Sequence, residues 1–177
     1  KDDGCRQTAG PPQVAPTIVT LTAMQRGALE AVQDRLLDFD DAGIQAAFFV
    51  TGDYIAKPEH RPRLQRMVAE GHYLGPHSHG HLLYCAWEER KRTLVSEAEF
   101  KRDLQRNIDE LRAFGAMAAG EPIYFIPPYE WYNAEQTRWA REMGATLFNF
   151  TPGSGSNRDW IPEDAVKFAS SSTILRD

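Results

Sequence analysis

Short apolar runs alternate with segments of helical periodicity along most of this chain. Residues 17–21 (TIVTL) and 44–50 (IQAAFFV) are predicted as buried strands, and residues 28–37 between them place Ala, Leu and Val at helical spacing. The alternation continues with strands predicted at 73–74, 123–126 and 146–150, and helices at 62–70, 96–115 and 134–143. This order predicts an α/β fold, a parallel sheet or barrel with outer helices and an active site at the carboxyl ends of the strands.

The composition is that of one globular domain with a core of its own. The chain has 177 residues, of which 42% are hydrophobic and 25% charged. Residues 1–16 are a polar, proline-bearing lead-in, and residues 17–177 are predicted as the folded domain.

The charge and hydropathy of the chain argue against nucleic-acid binding and against a membrane-spanning segment. The net charge is −5, and no Lys or Arg stripe is present that would neutralise phosphates, so nucleic acid is not an expected partner. The longest apolar stretches are far shorter than the roughly 20 residues that cross a bilayer, so no membrane span is expected.

The two cysteines do not form a metal-binding pair. Cys5 and Cys85 are far apart in sequence and neither belongs to a CxxC motif, which argues against a zinc-thiolate site. A disulfide between them and two free thiols both remain open.

The densest chemical signal is histidine. Four of the five histidines lie between residues 72 and 81, and His77 and His81 are four residues apart. On a helical turn this spacing places both imidazoles on one face, where they can bind one cation. His79 is expected to point elsewhere, and His72 to be structural. The alternative is a surface loop that happens to be rich in histidine.

A second cluster, residues 125–133 (FIPPYEWYN), follows the strand predicted at 123–126. Its prolines fix the backbone, and Tyr129, Trp131 and Tyr132 offer flat faces that can stack on sugar rings. Glu130 is a carboxylate among aromatic side chains, where desolvation can raise its pKa toward that of a general base. The alternative is a rigid loop whose aromatic side chains fill the core.

A third cluster, residues 151–160 (TPGSGSNRDW), follows the last predicted strand. Asp159 is a candidate for orienting a ligand histidine by accepting its second ring proton. It can equally serve as the cap of a helix or turn.

Together these segments resemble the polysaccharide deacetylase family, the NodB homology domain of carbohydrate esterase family 4. GHYLGPHSHGH is similar to the family's GHxxGxH[ST]xxH motif and AGIQAAFFVTG to its GIKATFFVTG strand. FIPPYE is similar to its RPPYG motif, and NRDW to a motif that ends in Asp-Trp. The resemblance runs in order from about residue 17 to residue 160.

The resemblance implies a distorted (β/α) barrel and hydrolysis of N-acetyl groups on an aminosugar polymer or oligosaccharide. It implies His77 and His81 as ligands of a divalent metal, expected to be Zn²⁺. The backbone N–H of Tyr129 would help to stabilise the oxyanion. Pro128 and Trp160, together with Trp131 and Tyr132, are then expected to contact the substrate. We also expect an extracytoplasmic location: secreted, periplasmic or on the cell surface.

Two departures from the family concern the catalytic base. The first family motif, TFDDG, supplies the base and a third ligand, but residues 21–27 here read LTAMQRG and contain no carboxylate. Asp40 and Asp41 come one predicted helix too late to replace it. The Arg of the third motif, which contacts the base, is replaced by Ile126. Glu130, where the family has Gly, is our hypothesis for the missing carboxylate, with a reach to the metal or its water.

A third departure lies at the C-terminal end. The family's late Leu-x-His motif has no counterpart, because the last histidine is His81. We therefore expect a barrel that is incomplete at the C-terminus. A missing segment, a second chain that completes the strand, or a loss of acid catalysis would each explain it.

Three functions remain open from the sequence. The first is a metal-dependent deacetylase that acts on N-acetylated glycan. The second is a catalytically silent carbohydrate-binding module on the same fold, favoured by the missing acid and base. The third is an unrelated metal-binding α/β domain, which would require the order of the motifs to be a coincidence.

Overall fold

A computed structural model of the chain describes residues 21–22 and 45–149. Its strands are β1 (Leu21–Thr22), β2 (Ala47–Val50), β3 (Tyr73–Pro76), β4 (Ile123–Phe125) and β5 (Ala145–Leu147). Its α-helices are α1 (Gly52–Ile55), α2 (Arg61–Ala69), α3 (Glu97–Phe114) and α4 (Ala134–Glu142), and two 3₁₀ helices cover Pro58–His60 and Pro128–Glu130.

The strands form two parallel sheets. One has the order β1-β2-β3, with Phe48 opposite both Leu21 and Leu74, and the other pairs β4 with β5. The Tyr73 hydroxyl links them, because it accepts the backbone N–H of Tyr124 at 2.9 Å and donates to its carbonyl at 3.3 Å. The carboxyl ends of β3 and β4 lie side by side, because the ring of His77, which follows β3, bonds the carbonyl of Ile126, which follows β4.

Helix α3 is the longest element and covers the core. Ser96 and Glu99 form a capping box at its start, and Gly115 ends it in the left-handed conformation at φ 86°. Four of its apolar residues recur every three or four positions and are buried: Phe100, Leu104, Ile108 and Leu111. Each such side chain stabilises the fold by about 1.5–3 kcal/mol relative to an exposed one. They pack with Leu74 and Phe125 of the strands.

The predicted alternation of parallel strands and helices is confirmed over the described residues. The strands and helices predicted between residues 44 and 143 are all present, with ends shifted by a few residues. The sequence reading missed α1 and both 3₁₀ helices, which are too short to show a hydrophobic period. Within residues 21–22 and 45–149, the two sheets do not close into a barrel.

Several predictions lie outside the described residues. These are the lead-in 1–16, the helix at 28–37, most of the first strand and everything from residue 150 onward. Among the helices that the structure does describe, none combines the length and the apolar character needed to cross a bilayer.

Candidate active site

His77 lies at the carboxyl end of β3 and is held from two sides. Its ring Nδ1 is 2.8 Å from the carbonyl oxygen of Ile126, and its backbone N–H donates to Asn107 Oδ1 at 2.9 Å. A carbonyl oxygen only accepts, so Nδ1 carries the ring proton and Nε2 presents a lone pair. The side chain is buried, with 2% exposure.

His81 turns its ring toward His77. The two Nε2 atoms are 3.2 Å apart and the ring centroids 5.0 Å apart. The prediction that both residues share a helical turn is wrong, because residues 77–81 form a loop in which Ser78 and His81 have positive φ values of 72° and 53°. The imidazoles meet because the backbone takes these left-handed conformations, which are uncommon for non-glycine residues and cluster at functional sites.

The spacing of the two nitrogens fits a shared metal ion. Two imidazole nitrogens at the Zn–N distance of about 2.0–2.1 Å and a tetrahedral angle are about 3.3 Å apart, close to the 3.2 Å between the His77 and His81 nitrogens. Ile126 also orients His77 as an outer hydrogen-bond partner usually orients a ligand histidine.

Burial favours the neutral form of both imidazoles. Burial lowers the pKa of His77 from 6.5 to about 4, the nearby His81 lowers it further, and the hydrogen bond to Ile126 acts in the opposite direction. Burial also lowers the pKa of His81, against a hydrogen bond with its own backbone. A neutral imidazole is the form that binds metal.

Asp103 of α3 fixes the loop between the two histidines. Its carboxylate accepts the Ser78 hydroxyl, the backbone N–H of His79 at 2.9 Å and that of Gly80 at 3.0 Å. Three donors on one carboxylate hold the left-handed turn at Ser78 in place.

His79 points away from the His77–His81 pair, as predicted. Its Nδ1 is 2.9 Å from Glu110 of α3, and its Nε2 is 3.6 Å from Asp53 at the start of α1. Gly52 lies against this ring: a Cβ there would be 1.9 Å from His79 Nδ1 and 2.2 Å from Glu110. His72 is structural, as predicted, because it is buried and its Nδ1 accepts the backbone N–H of Ala46 at 3.2 Å.

The Pro-Pro-Tyr segment lies beside His81. Tyr129 and Glu130 have positive φ values of 59° and 50°, and the Tyr129 ring packs edge-on against the His81 ring at 4.4 Å. Pro128 is buried beneath this turn. None of the described residues accepts the backbone N–H of Tyr129. Glu130 is partly buried, and its carbonyl accepts Asn149 Nδ2 at 3.1 Å.

Trp131 and Tyr132 belong to an aromatic group that also contains Trp87. The Trp131 ring Nε1 donates to the Ala86 carbonyl at 3.1 Å, and Trp87 stacks on Trp131 at 5.8 Å. The Arg90 guanidinium lies 4.5 Å from the centre of the Trp131 ring and 5.1 Å from that of Tyr132. Part of the surface of the Trp131 and Tyr132 rings is therefore already in contact with other parts of the protein.

No third ligand is visible in the part of the chain that the structure describes. Residues 21–22 and 45–149 contain no group of three or more His, Cys, Asp or Glu side chains that could hold a metal ion. Glu130 therefore does not complete a three-ligand set with His77 and His81 there. Asp159 and Trp160 lie outside the described residues.

Cys85 is buried, and its thiol donates to Gln136 Oε1 at 3.3 Å. Burial raises the pKa of this thiol. Cys5 lies outside the described residues, so the choice between a disulfide and two thiols stays a prediction.

Sequence reasoning missed the residues that support the site. Asp103, Asn107 and Glu110 occupy one face of α3 and all bind the histidine loop. Their spacing was a visible signal, since polar residues at i, i+4 and i+7 share a helix face next to the apolar one. Gly52 and Trp87 carried no signal, because their importance depends on which side chains face them.

Comparison with known proteins identifies the family. A model of the polysaccharide deacetylase family matches residues 22–148, well over half of the 177 residues. This chain belongs to the polysaccharide deacetylase family. The match contains both histidines, the loop clamped by Asp103 and the Pro-Pro-Tyr segment. Among curated proteins, none matches the chain in sequence.

Solved structures share the fold of this deacetylase-family chain. A family 4 carbohydrate esterase from Streptomyces lividans is 21% identical, with a TM-score of 0.61 over 91% of this chain and 70% of the esterase. The chitin deacetylase of Colletotrichum lindemuthianum is 19% identical, with a TM-score of 0.60 over 82% of this chain and 59% of that one.

A third similar structure is described as a pseudoenzyme of the same esterase family. This protein from Bacillus anthracis is 19% identical, with a TM-score of 0.56 over 81% of this chain and 44% of its own. The chain thus spans less than half of the length of that relative. At these identities the likeness shows the fold alone.

Proposed function

We propose that this chain is a metal-dependent hydrolase that removes N-acetyl groups from an aminosugar polymer or oligosaccharide. The observation that carries the proposal is the 3.2 Å approach of the two Nε2 atoms of His77 and His81. His77 presents its lone pair there, since its Nδ1 proton is engaged by Ile126. Burial lowers the pKa of both rings and so favours their neutral form, and the pair lies at the carboxyl end of β3, where such folds place their chemistry.

His77 and His81 would hold a divalent ion, with Zn²⁺ as the first candidate. When bound, such an ion polarises the acetyl carbonyl and acidifies a water molecule. The backbone N–H of Tyr129, which has no acceptor among the described residues, is the oxyanion donor in this proposal. Glu130 is the candidate base, and Asp159 the candidate partner of a ligand histidine.

The substrate in this proposal is an N-acetylated glycan. Trp131, Tyr132, Pro128 and Trp160 are the residues proposed to contact it. Family membership and the aromatic side chains beside His81 support this choice. An extracytoplasmic location, where such polymers are found, is part of the same proposal.

A second candidate is a catalytically silent carbohydrate-binding domain. Two observations favour it. Strand β1 pairs in parallel with β2, but the residues that follow it, 23–27, contain no carboxylate. In addition, the described residues offer only two of the ligands that a catalytic zinc site needs.

Metal content and acetate release separate the two candidates. We expect the wild-type chain to bind one divalent ion, and the His77→Ala/His81→Ala variant to bind none. His60→Gln is the matched control, because His60 is also buried but bonds the Tyr54 carbonyl instead. Wild type should release acetate from N-acetylglucosamine oligomers. A metal-free wild-type protein would contradict the metal centre, and bound metal without acetate release from any glycan would favour the silent domain.

A further inference from the structure

Trp87 is the most exposed large hydrophobic side chain of the described residues. It is 52% exposed, although the two residues before it, Cys85 and Ala86, are buried. An indole in contact with water forgoes the stabilisation that burial would provide, so its position calls for a reason.

The Trp87 ring is held in place by two other rings. It stacks on Trp131 at 5.8 Å and 28°, and it contacts Tyr129 edge-on at 5.4 Å and 79°. Trp131 is itself anchored, because its Nε1 donates to Ala86 and the Arg90 guanidinium lies over its ring. Trp87 is therefore a preorganised surface, and little conformational entropy is lost when a ligand binds to it.

Trp87 also lies close to the metal-binding pair. The Tyr129 ring contacts the Trp87 ring and also packs against the His81 ring, with 4.4 Å between the Tyr129 and His81 ring centres. Only one aromatic ring thus separates the exposed indole from a candidate ligand of the ion. Trp131, by contrast, is partly buried and already in contact with Arg90 and Trp87.

We propose that Trp87 forms a stacking subsite for a pyranose ring, and that this ring belongs to a sugar unit next to the one whose acetyl group faces His77 and His81. The inference rests on the proposed glycan substrate. The flat apolar face of a pyranose suits an exposed indole. Since Tyr129 lies between Trp87 and His81, one sugar unit at the metal pair would not cover Trp87, and longer oligomers would.

The test measures binding separately from hydrolysis. N-acetylglucosamine oligomers of one to six units are titrated into the full chain by calorimetry, with a chelator present so that no acetate is released. We expect Trp87→Ala to weaken binding of the longer oligomers about tenfold and to leave binding of the single sugar unchanged. Trp87→Phe, which keeps a flat ring, should retain most of the affinity. Leu94→Ala is the matched control, because Leu94 is also hydrophobic and 47% exposed.

Each outcome decides the proposal. The proposal is overturned if the wild type binds no oligomer. It is also overturned if Trp87→Ala lowers the affinity no more than Leu94→Ala does, or lowers it equally for oligomers of every length. Trp87-dependent binding without acetate release from the metal-loaded protein would leave the subsite standing and contradict the hydrolase. If the metal-loaded protein releases acetate, and Trp87→Ala changes neither the affinity for longer oligomers nor the KM of the reaction, the hydrolase stands and the subsite is contradicted.

Discussion

At the scale of single residues, the site depends on backbone conformations that its side chains do not favour. Ser78, His81, Tyr129 and Glu130 are the described non-glycine residues with positive φ. All four lie in the two segments that meet at the histidine pair. Left-handed conformations cost of order 1–3 kcal/mol for such residues, and the surrounding contacts must offset this. The Asp103 carboxylate does so at Ser78.

The pKa of His77 predicts that the metal-free protein loses stability in mild acid. The unfolded chain binds a proton to His77 below pH 6.5, whereas the folded chain does so only below about pH 4. Between these values the unfolded state holds more protons, so the free energy of unfolding falls as the pH falls, by about 3 kcal/mol in total. Urea unfolding at pH 7 and pH 4.5, with a chelator present, measures this difference in the free energy of unfolding. His77→Gln should flatten the pH dependence, and an unchanged slope in that variant would contradict the assignment.

Glu130 is predicted to be the general base. Glu130→Gln removes the proton acceptor but neither candidate ligand, so we expect acetate release to be abolished while the metal stays bound. Metal analysis and an acetate assay on the same preparation measure both effects. Glu89→Gln, at an exposed carboxylate, is the control. Hydrolysis that survives Glu130→Gln would rule out this role.

At the scale of elements, two neighbouring faces of α3 have different roles. Its apolar face packs into the core, and Asp103, Asn107 and Glu110 on the neighbouring face bind the histidine loop. The loop is therefore attached to the most extensively packed helix of the described chain. A site on such a support keeps its geometry better than a free loop.

Asp103→Asn should loosen the histidine loop. The amide oxygen can replace only part of the carboxylate's three hydrogen bonds, so we expect a loss of about 1–3 kcal/mol in stability. We also expect metal affinity to fall, by no more than the roughly 10–100-fold loss usual for direct hydrogen-bond partners of ligands, because Asp103 holds the loop between His77 and His81 and bonds neither histidine. Chemical denaturation and metal titration provide the two readouts. Asp109→Asn on the exposed side of the same helix should change neither, and equal effects of the two substitutions would contradict the clamp.

Gly52→Ala tests the contact between α1 and the loop. The added methyl group would overlap His79 and Glu110, so their bond must break or α1 must shift, at a cost of about 1–3 kcal/mol. Thermal unfolding measures the loss. Gly80→Ala is the matched control, because a Cβ there is 3.4 Å from its nearest neighbour, Asp103. Similar stability in both variants would show that α1 is not tightly packed here.

At the scale of the whole molecule, the candidate metal centre joins separate parts of the chain. His77 follows β3, its ring bonds the residue after β4, and its backbone bonds α3. A bound ion would link His81 to this set. A ligand that binds only the folded state stabilises it by mass action.

Metal should therefore raise the unfolding temperature. With Zn²⁺ at 100 times its Kd, the folded state gains about 2.7 kcal/mol, which for a chain of this size corresponds to a rise of several degrees. Differential scanning calorimetry with and without chelator measures it. The His77→Ala/His81→Ala variant should show no rise. A similar rise in both proteins would place the ion elsewhere.

The class of fold and the centre of the site follow from local patterns in the sequence. Apolar runs of strand length and the helical period of residues 96–115 come from local geometry, so they could be predicted without knowledge of the tertiary structure. The histidine cluster identified His77 and His81 as the candidate pair, and the family motifs identified the Pro-Pro-Tyr segment.

The way in which these parts meet depends on contacts between residues that are distant in sequence. The two histidines converge through a left-handed loop, not a helical turn, because Asp103, 25 residues later, accepts the loop's donors. Trp87 reaches His81 through Tyr129, 42 residues away in sequence. Contacts between residues this far apart depend on how strands and helices pack, and a local pattern carries no information about that packing.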